Sequence, residues 1–396
     1  MIIAILASLS GRIGGLQEIG NRMGMLRVGV IGTGSFAEVC HIPGLQSHPQ
    51  AKVVALCGRR MDRTRLLAER LNVPDVYTDY YDLCARTDID AVTIATPNVA
   101  HAQQALAALA AGKHVLCEKP LAMNVAEAVE MVCAAVASQK VHQVAFTFRY
   151  LLGVQELRRR LRRGDIGEPY HIRLHFETWE GFQPNATVGF REKADLAGGG
   201  MLYDVGAHLF DMASFLLGPI EAVTGFTQLI PRERPDQSTG MLTAVDTDDI
   251  AAAWFLCTNG VQGQWFASRA TPCSGDKAYV EVIGREGAMR ASLSRGSIDT
   301  LRISRPASPL WEILPLPEPA SDGRPHCLGR MMRSFVDACL RGKLDDEIDA
   351  SFHDGLAAQR ALDAVGVASS RHEWVSVSGG RRKGLHREFQ ANPYLL

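Results

Sequence analysis

Lys119 is the first residue in this chain whose setting points to chemistry. The run His114-Val115-Leu116-Cys117-Glu118-Lys119-Pro120 places a glutamate and a lysine directly after an apolar stretch of strand length, with a proline fixing the turn. In an open α/β sheet, ligands bind at the carboxyl ends of the strands. A lysine there can donate to a substrate oxygen, and partial burial would bring its pKa into the range of a working acid or base. A solvated loop lysine would look the same in the sequence.

A second constellation lies near the middle of the chain. Gly198-Gly199-Gly200 permits either a close backbone approach or a flexible turn, and Leu202 to Leu217 reads as a helix. Asp204 and His208 are four residues apart and Asp211 three further on, so the three share one helix face. A carboxylate one turn before a histidine can orient the imidazole and raise its basicity, which suits proton transfer near neutral pH. Spacing alone favours the plainer reading, a capped or salt-bridged pair at a domain interface.

The third constellation is a phosphate cradle. The strand Arg27 to Ile31 runs into Gly32-Thr33-Gly34-Ser35-Phe36-Ala37, the pattern GxGxxA. Gly32 permits the tight turn, Gly34 lets backbone N–H groups approach a pyrophosphate, and small Ala37 lets the helix pack close to the strand. The helix N-terminus adds partial positive charge. The second strand ends in Gly58-Arg59-Arg60 where an acidic residue would hold an adenosine ribose. Arginines there can pair with a 2′-phosphate, which leans toward NADP over NAD. The alternative is that Arg59 stacks on the adenine and Arg60 is solvated.

These residues need a scaffold, and the pattern supplies one. Strand-length runs at Lys52 to Cys57, Ala91 to Ala95, His114 to Cys117 and Val141 to Phe146 alternate with helical stretches at Ser35 to Ser47, Met61 to Asn72, Val99 to Ala111 and from Asn124 to about Lys140. Pro43 must bend the first helix, and Asn124 can cap the last. Such alternation predicts a parallel, doubly wound sheet, the N-terminal Rossmann domain of an α/β protein. After Arg149 the pattern changes. A helix at Val154 to Arg163 leads into longer strands at His171 to Thr178, Ala251 to Cys257, Gln262 to Ser268 and Tyr279 to Ile283, with hairpin-like breaks. This predicts a C-terminal α/β domain with an open, mostly antiparallel sheet, followed by helices at His326 to Arg341 and Ser351 to Ser369. The expected division is an N-terminal extension (1–24), a dinucleotide-binding domain (25–147), a substrate and oligomerisation domain (148–378) and a polar tail (379–396). The segment Leu314 to Pro325 is a Pro-rich connector.

Composition excludes several classes. With 42 Lys+Arg against 43 Asp+Glu, the formal net charge of -1 exerts no general pull on nucleic acid or an anionic membrane. The nine cysteines show no CxxC spacing and sit mostly in apolar runs, which suits reduced, buried thiols in a cytoplasmic protein. No Cys/His cluster has ligand spacing, so no metal site is expected. The apolar start MIIAILASLS is too short to span a bilayer and lacks the basic region of a signal peptide. A true start at Met23 or Met25 is expected.

The motifs taken together resemble a known family. GxGxxA, Ala95-Thr96-Pro97-Asn98, the Glu118-Lys119-Pro120 turn, Phe148-Arg149-Tyr150 and the run Gly198 to Asp211 (GGGMLYDVGAHLFD) occur in the order seen in glucose-fructose oxidoreductase / inositol dehydrogenase / MocA proteins. The resemblance spans roughly Leu26 to Val377. It implies an enzyme that transfers a hydride between NAD or NADP and a secondary alcohol or ketone of a sugar, sugar derivative or cyclitol. It implies Lys119, Asp204 and His208 as the acid/base set, with His208 or Lys119 as base and Asp204 supporting the imidazole. It places His101 near the nicotinamide, and implies a homodimer or homotetramer. Some relatives hold NAD tightly and cleave glycosides without net redox change, and a non-catalytic dinucleotide sensor is a further alternative. Arg149 and Tyr150 either bind substrate or close the domain junction. Of the aromatics in the loop Trp179 to Arg191, packing is the plainer role, with Arg191 the candidate substrate ligand. His171 and His175, lacking a carboxylate partner, line a sheet, and the arginines at 158–163 form a solvated basic helix end.

Overall fold

The computed structural model describes residues 24–272, 277–293, 299–317 and 324–377. The expected N-terminal extension up to residue 23, the middle of the Pro-rich connector and the polar tail lie outside the described residues.

Six parallel strands build the first sheet: β1 (Leu26–Ile31), β2 (Ala51–Cys57), β3 (Asp75–Tyr77), β4 (Ala91–Ile94), β5 (His114–Cys117) and β6 (His142–Val144). Their order is β3-β2-β1-β4-β5-β6, the doubly wound arrangement. The helices are α1 (Ile42–Gln46), α2 (Met61–Arg70), α3 (Tyr80–Cys84), α4 (His101–Ala110) and α5 (Val125–Ser138). With helices on both faces, β1 and β4 are buried almost throughout, which is why they read as continuous apolar runs. The helix expected over 35–47 is split. A five-residue π-helical segment, Ala37–His41, precedes α1, and Pro43, which has no N–H to give, sits in the first turn of α1. Asn124 caps α5 by accepting from the Glu127 N–H at 3.0 Å.

Strand order reverses between β1 and β4, and the loops leaving those two strands touch. Gly32 has φ +114°, and a Cβ on it would lie 2.3 Å from the Ala95 carbonyl oxygen. Glycine is therefore required there twice over, by conformation and by space.

The second domain begins with α6 (Leu152–Arg163) and β7 (Pro169–Glu177), then α7 (Ala194–Ala197), α8 (Met201–Asp204) and α9 (Gly206–Leu217). It continues through β8 (Ile220–Gln228), a small hairpin of β9 (Glu233–Pro235) and β10 (Leu242–Ala244), β11 (Ile250–Cys257), β12 (Gln262–Ser268), β13 (Ala278–Gly284), β14 (Gly287–Ser292), β15 (Leu301–Arg305) and β16 (Ser308–Leu314). Helices α10 (Arg324–Arg341) and α11 (Phe352–Arg371) and the short β17 (Val375–Ser376) close the chain. The nine-stranded sheet runs β16-β15-β14-β13-β7-β12-β11-β8-β17. The pairing of β7 with β12 is parallel and the other pairings in this sheet are antiparallel. Both late helices return to the first domain. A Cβ on Gly355 of α11 would meet Leu121 and Val144 at 2.8 Å, and one on Gly44 of α1 would meet Met332 of α10 at 2.7 Å.

Two surface expectations are corrected. The basic end of α6 is ion-paired rather than merely solvated: Glu156 takes Arg159 and Arg160, Asp165 takes Arg160 and Arg163, and Glu347 takes Arg162. Arg158 lies over the Phe215 ring at 4.0 Å. His175 does have a carboxylate partner, Glu177 at 2.9 Å, and its ring stacks between Phe266 and Tyr279. The thiols are buried, apart from Cys133, among the described cysteines, and burial pushes Cys57 and Cys257 up to about 12. Thiols so placed are poor nucleophiles. Among the described residues no group of His, Cys, Asp or Glu is arranged to hold a metal, and no helix is long and apolar enough to cross a membrane.

Candidate active site

Lys119 leaves the carboxyl end of β5 and crosses to the second domain. Its Nζ donates to the Asp204 carbonyl at 2.7 Å and to Asp204 Oδ1 at 2.5 Å. The lysine side chain is 9% exposed and that of Asp204 34%, so the lysine is buried while the carboxylate remains partly exposed. Arg191 Nε stands 3.4 Å from the same Asp204 oxygen, and its guanidinium lies over the Phe190 ring. Asp204, with burial opposing it, raises the Arg191 pKa. Two cationic side chains from separate chain segments thus converge on one carboxylate.

The Asp204 backbone is fixed by local structure that the triple glycine permits. A Cβ on Gly200 would fall 1.8 Å from the Asp248 carbonyl oxygen, while Gly198 and Gly199 lie against the Tyr203 ring. The close-approach reading of the glycines is therefore the one realised. Asp248 caps the turn, its two carboxylate oxygens accepting from Gly200 N–H at 2.6 Å and Leu202 N–H at 2.8 Å. Burial raises its pKa.

The single helix expected over 202–217 is interrupted at Val205, and this alters the Asp204–His208 relationship. Asp204 ends α8 and commits its carboxylate to Lys119 and Arg191. His208 lies in α9, 1% exposed, with its ring against those of Phe148 at 4.5 Å and Phe146 at 5.8 Å. Asp211, expected on their face, is turned instead to Arg149.

Of the two roles open to Arg149 and Tyr150, that pairing fits closure of the domain junction. Arg149 donates to both Asp211 oxygens at 3.0 and 2.5 Å, to Asp354 Oδ1 at 3.0 Å and to the Asp349 carbonyl at 3.1 Å. Tyr150 donates to Asp349 Oδ1 at 2.5 Å and accepts from Gln143 at 2.7 Å. Both residues are buried. They hold the domain junction to α9 and to the chain leading into α11.

On the cofactor side, Gly34 and Ser35 are exposed, and a Cβ on Gly34 would meet nothing within 4 Å. That open space in front of the loop, together with buried Ala37, fits a pyrophosphate approaching the backbone. Gly58 is hemmed in by Thr33 and Thr64. Arg59 is exposed beyond it, and exposed Arg60 is paired with Asp62 at 2.7 Å. The loop after β4 stays at the sheet edge, and two of its side chains are bonded to protein acceptors. Asn98 donates to the Ala197 carbonyl of the second domain at 2.8 Å, and Thr96 Oγ1 donates to Gln104 at 2.7 Å. His101, expected near the nicotinamide, is fully buried with both ring nitrogens on main-chain carbonyls, Pro120 at 2.9 Å and Thr96 at 3.0 Å. Burial lowers its pKa, against the two carbonyl contacts.

Sequence reasoning passed over His41 and Asp248. His41 follows the glycine loop in the π-helical segment, buried, with Nε2 3.0 Å from Glu118 Oε1. Burial pushes the Glu118 carboxyl up, but the His41 hydrogen bond and neighbouring cationic groups outweigh it and hold it below the usual range. A polar residue inside an otherwise apolar helix start was the available signal for His41.

Residues 26–146 match the Gfo/Idh/MocA oxidoreductase family model with NAD-binding Rossmann fold, and residues 154–290 match the C-terminal domain model of the same family. The chain belongs to the Gfo/Idh/MocA oxidoreductases. Like others of that family, it is an oxidoreductase built on an NAD-binding Rossmann domain. It is 29% identical to levoglucosan dehydrogenase of Pseudarthrobacter phenanthrenivorans over 78% of this chain and 85% of that one. It is 28% identical to myo-inositol 2-dehydrogenase of Thermotoga maritima over 66% and 74%. A levoglucosan dehydrogenase structure in complex with NADH and levoglucosan superposes with TM-score 0.80 at 26% identity, covering 89% of this chain and 99% of the other. In this Gfo/Idh/MocA member, then, the Lys119–Asp204 contact lies where the two family domains meet.

Proposed function

We propose that this enzyme oxidises a secondary alcohol of a sugar, sugar derivative or cyclitol, or reduces the corresponding ketone, at the Lys119–Asp204 pair. The observation that carries the reading is the Lys119–Asp204 pair at the carboxyl edge of a dinucleotide-binding sheet. The glycine loop, the backbone of Thr96 to Asn98 and the turn at Glu118 to Pro120 would hold the cofactor, whose nicotinamide ring supplies the hydride acceptor or donor. Lys119 Nζ donates to the substrate oxygen and stabilises negative charge as it develops there. Asp204 aims the lysine through their ion pair. His208, four residues on, is the group that accepts the hydroxyl proton, and its aromatic packing fixes the ring plane. Arg191 beside Asp204 binds a further hydroxyl.

The test is reduced-nicotinamide absorbance with purified protein, NAD or NADP, and a panel of hexoses, anhydrosugars and inositols. A steady rise with one polyol is expected. No rise, with cofactor recovered after denaturing the protein, would replace this reading with redox-neutral glycoside cleavage.

On cofactor choice, our reading favours NADP, with Arg59 as the residue that meets the 2′-phosphate, since Arg60 already has Asp62. Arg59→Ala is expected to lower kcat/KM with NADP by roughly 10-fold or more and leave NAD within about 2-fold, the size of one charge-assisted hydrogen bond. Equal losses with both cofactors would mean that Arg59 contacts the adenine instead. The open face of the large sheet carries exposed Phe226, Trp254 and Trp311, which supports a homo-oligomer formed through that face.

A further inference from the structure

We infer that His41 and His101 are positioning residues, a brace that sets the Glu118-Lys119-Pro120 turn against the two cofactor loops. The inference rests on the reading of Lys119 as the group that meets substrate. The need for a brace follows from the backbone. The Glu118 N–H still bonds to the Ile94 carbonyl at 3.0 Å, and that is the last rung of the ladder from β5 to β4. Beyond it the chain leaves the sheet, and Pro120 has no N–H to offer. Two side chains take over. His41, from the segment after the glycine loop, donates Nε2–H to Glu118 Oε1 at 3.0 Å, while Glu118 Oε2 lies 3.3 Å from the Lys119 N–H. His101, from the start of α4, lies between the Pro120 carbonyl, 2.9 Å from Nδ1, and the Thr96 carbonyl, 3.0 Å from Nε2; a neutral ring donates to one of them and packs against the other.

Each histidine therefore links the lysine turn to one cofactor-side loop. His41 ties it to the phosphate loop, and the His101 ring fills the gap between it and the loop after β4, whose Ala95 carbonyl lies against Gly32. Both rings are 0% exposed, so bulk solvent does not compete for their contacts. Neither needs to touch a ligand to matter, because a displacement of about 1 Å at a reacting group can cost about a hundredfold in rate.

Amide side chains separate the two contacts of His101. Asparagine places a nitrogen near the Nδ1 position and glutamine near Nε2. His101→Asn keeps the Pro120 contact and loses that to Thr96, whereas His101→Gln does the reverse. We expect His101→Gln to have a kcat at least 10-fold below that of His101→Asn. We expect His101→Asn to lose mainly in NADH affinity, read by fluorescence titration. His41→Gln, which retains an Nε donor for Glu118, should keep at least 10-fold more kcat than His41→Asn, which cannot reach. Melting temperatures and the NADH titration identify any variant that has failed to fold. The His41 pair then decides if the His101 pair is lost, and the reverse. Equal kcat within each pair of folded variants, or losses confined to NADH affinity throughout, would overturn the brace. A wild-type enzyme that turns over no polyol would instead overturn the functional reading, and the NADH titrations would still report on the two loops.

Discussion

Replacing Lys119 with methionine is expected to lower kcat for polyol oxidation by roughly a thousandfold, while NADH binding changes by no more than about 3-fold. Methionine keeps the length and apolar stem of the side chain and deletes its charge. What is lost is the donor that meets the substrate oxygen and the cation that Asp204 faces at 2.5 Å. At about 1.4 kcal/mol per tenfold, the expected loss corresponds to roughly 4 kcal/mol of transition-state stabilisation. That is the range for removing one preorganised donor aimed at a developing negative charge. The fold should tolerate the change. Asp204 is 34% exposed and keeps Arg191 at 3.4 Å, so its carboxylate is not stranded in an apolar interior. Steady-state kinetics with the best polyol from the panel, beside a fluorescence titration with NADH, checks both halves. Turnover within 10-fold of wild type would remove Lys119 from the chemistry. A matching loss of NADH affinity would make it a cofactor ligand alone.

The sequence made the scaffold of this site legible because the parallel sheet is buried on both faces, so that β1, β4 and β5 stand out as apolar runs between helices. The strand His114–Cys117 is found at its expected limits, and Ser351 caps α11 at the expected start. What escaped was short or set by tertiary contacts. β3 has three residues and α3 five, too few for any period to show. The interruption at Val205 could not be read from an i, i+4 spacing, because it arises where Gly200 and Leu202 are clamped by Asp248, nearly fifty residues away. For the same reason the spacing allows salt-bridged carboxylates at a domain interface but does not identify the partners of Asp204 and Asp211. A shared helix face says which residues are neighbours on one element, but Lys119 and Arg149 arrive from others. The buried histidines share this limit. His101 looked like a helix-start residue near the nicotinamide, and only the three-dimensional arrangement shows that the Pro120 and Thr96 carbonyls occupy both of its nitrogens.

Arg149→Met is expected to destabilise the protein by about 3–5 kcal/mol at neutral pH, the usual cost of removing one partner from a buried ion pair. Arg149 is 5% exposed and the Asp211 carboxylate 2%, and the two make a bidentate contact. Burial pushes Asp211 up to about 6 even with the arginine pulling the other way. Without the cation, the folded state would hold the Asp211 proton more tightly still, while the unfolded chain releases it near the ordinary carboxylate value. The folded state then binds more protons than the unfolded one across that interval, so stability falls as pH rises through it. The deficit of Arg149→Met relative to wild type should therefore be larger at pH 8 than at pH 5. Pairing the change with Asp211→Leu removes the stranded carboxylate and should recover most of the loss, since replacing a buried pair with apolar groups is often near neutral. Urea unfolding of the single and double variants at both pH values measures each term. Kinetics of the single variant, assayed well below its unfolding transition, separate this structural role from substrate binding. A loss under about 1 kcal/mol, with KM for the polyol raised 10-fold or more, would return Arg149 to the substrate site. The expected loss of stability with KM little changed would fix it as the buried cation that holds the junction between the two domains to α9 and α11.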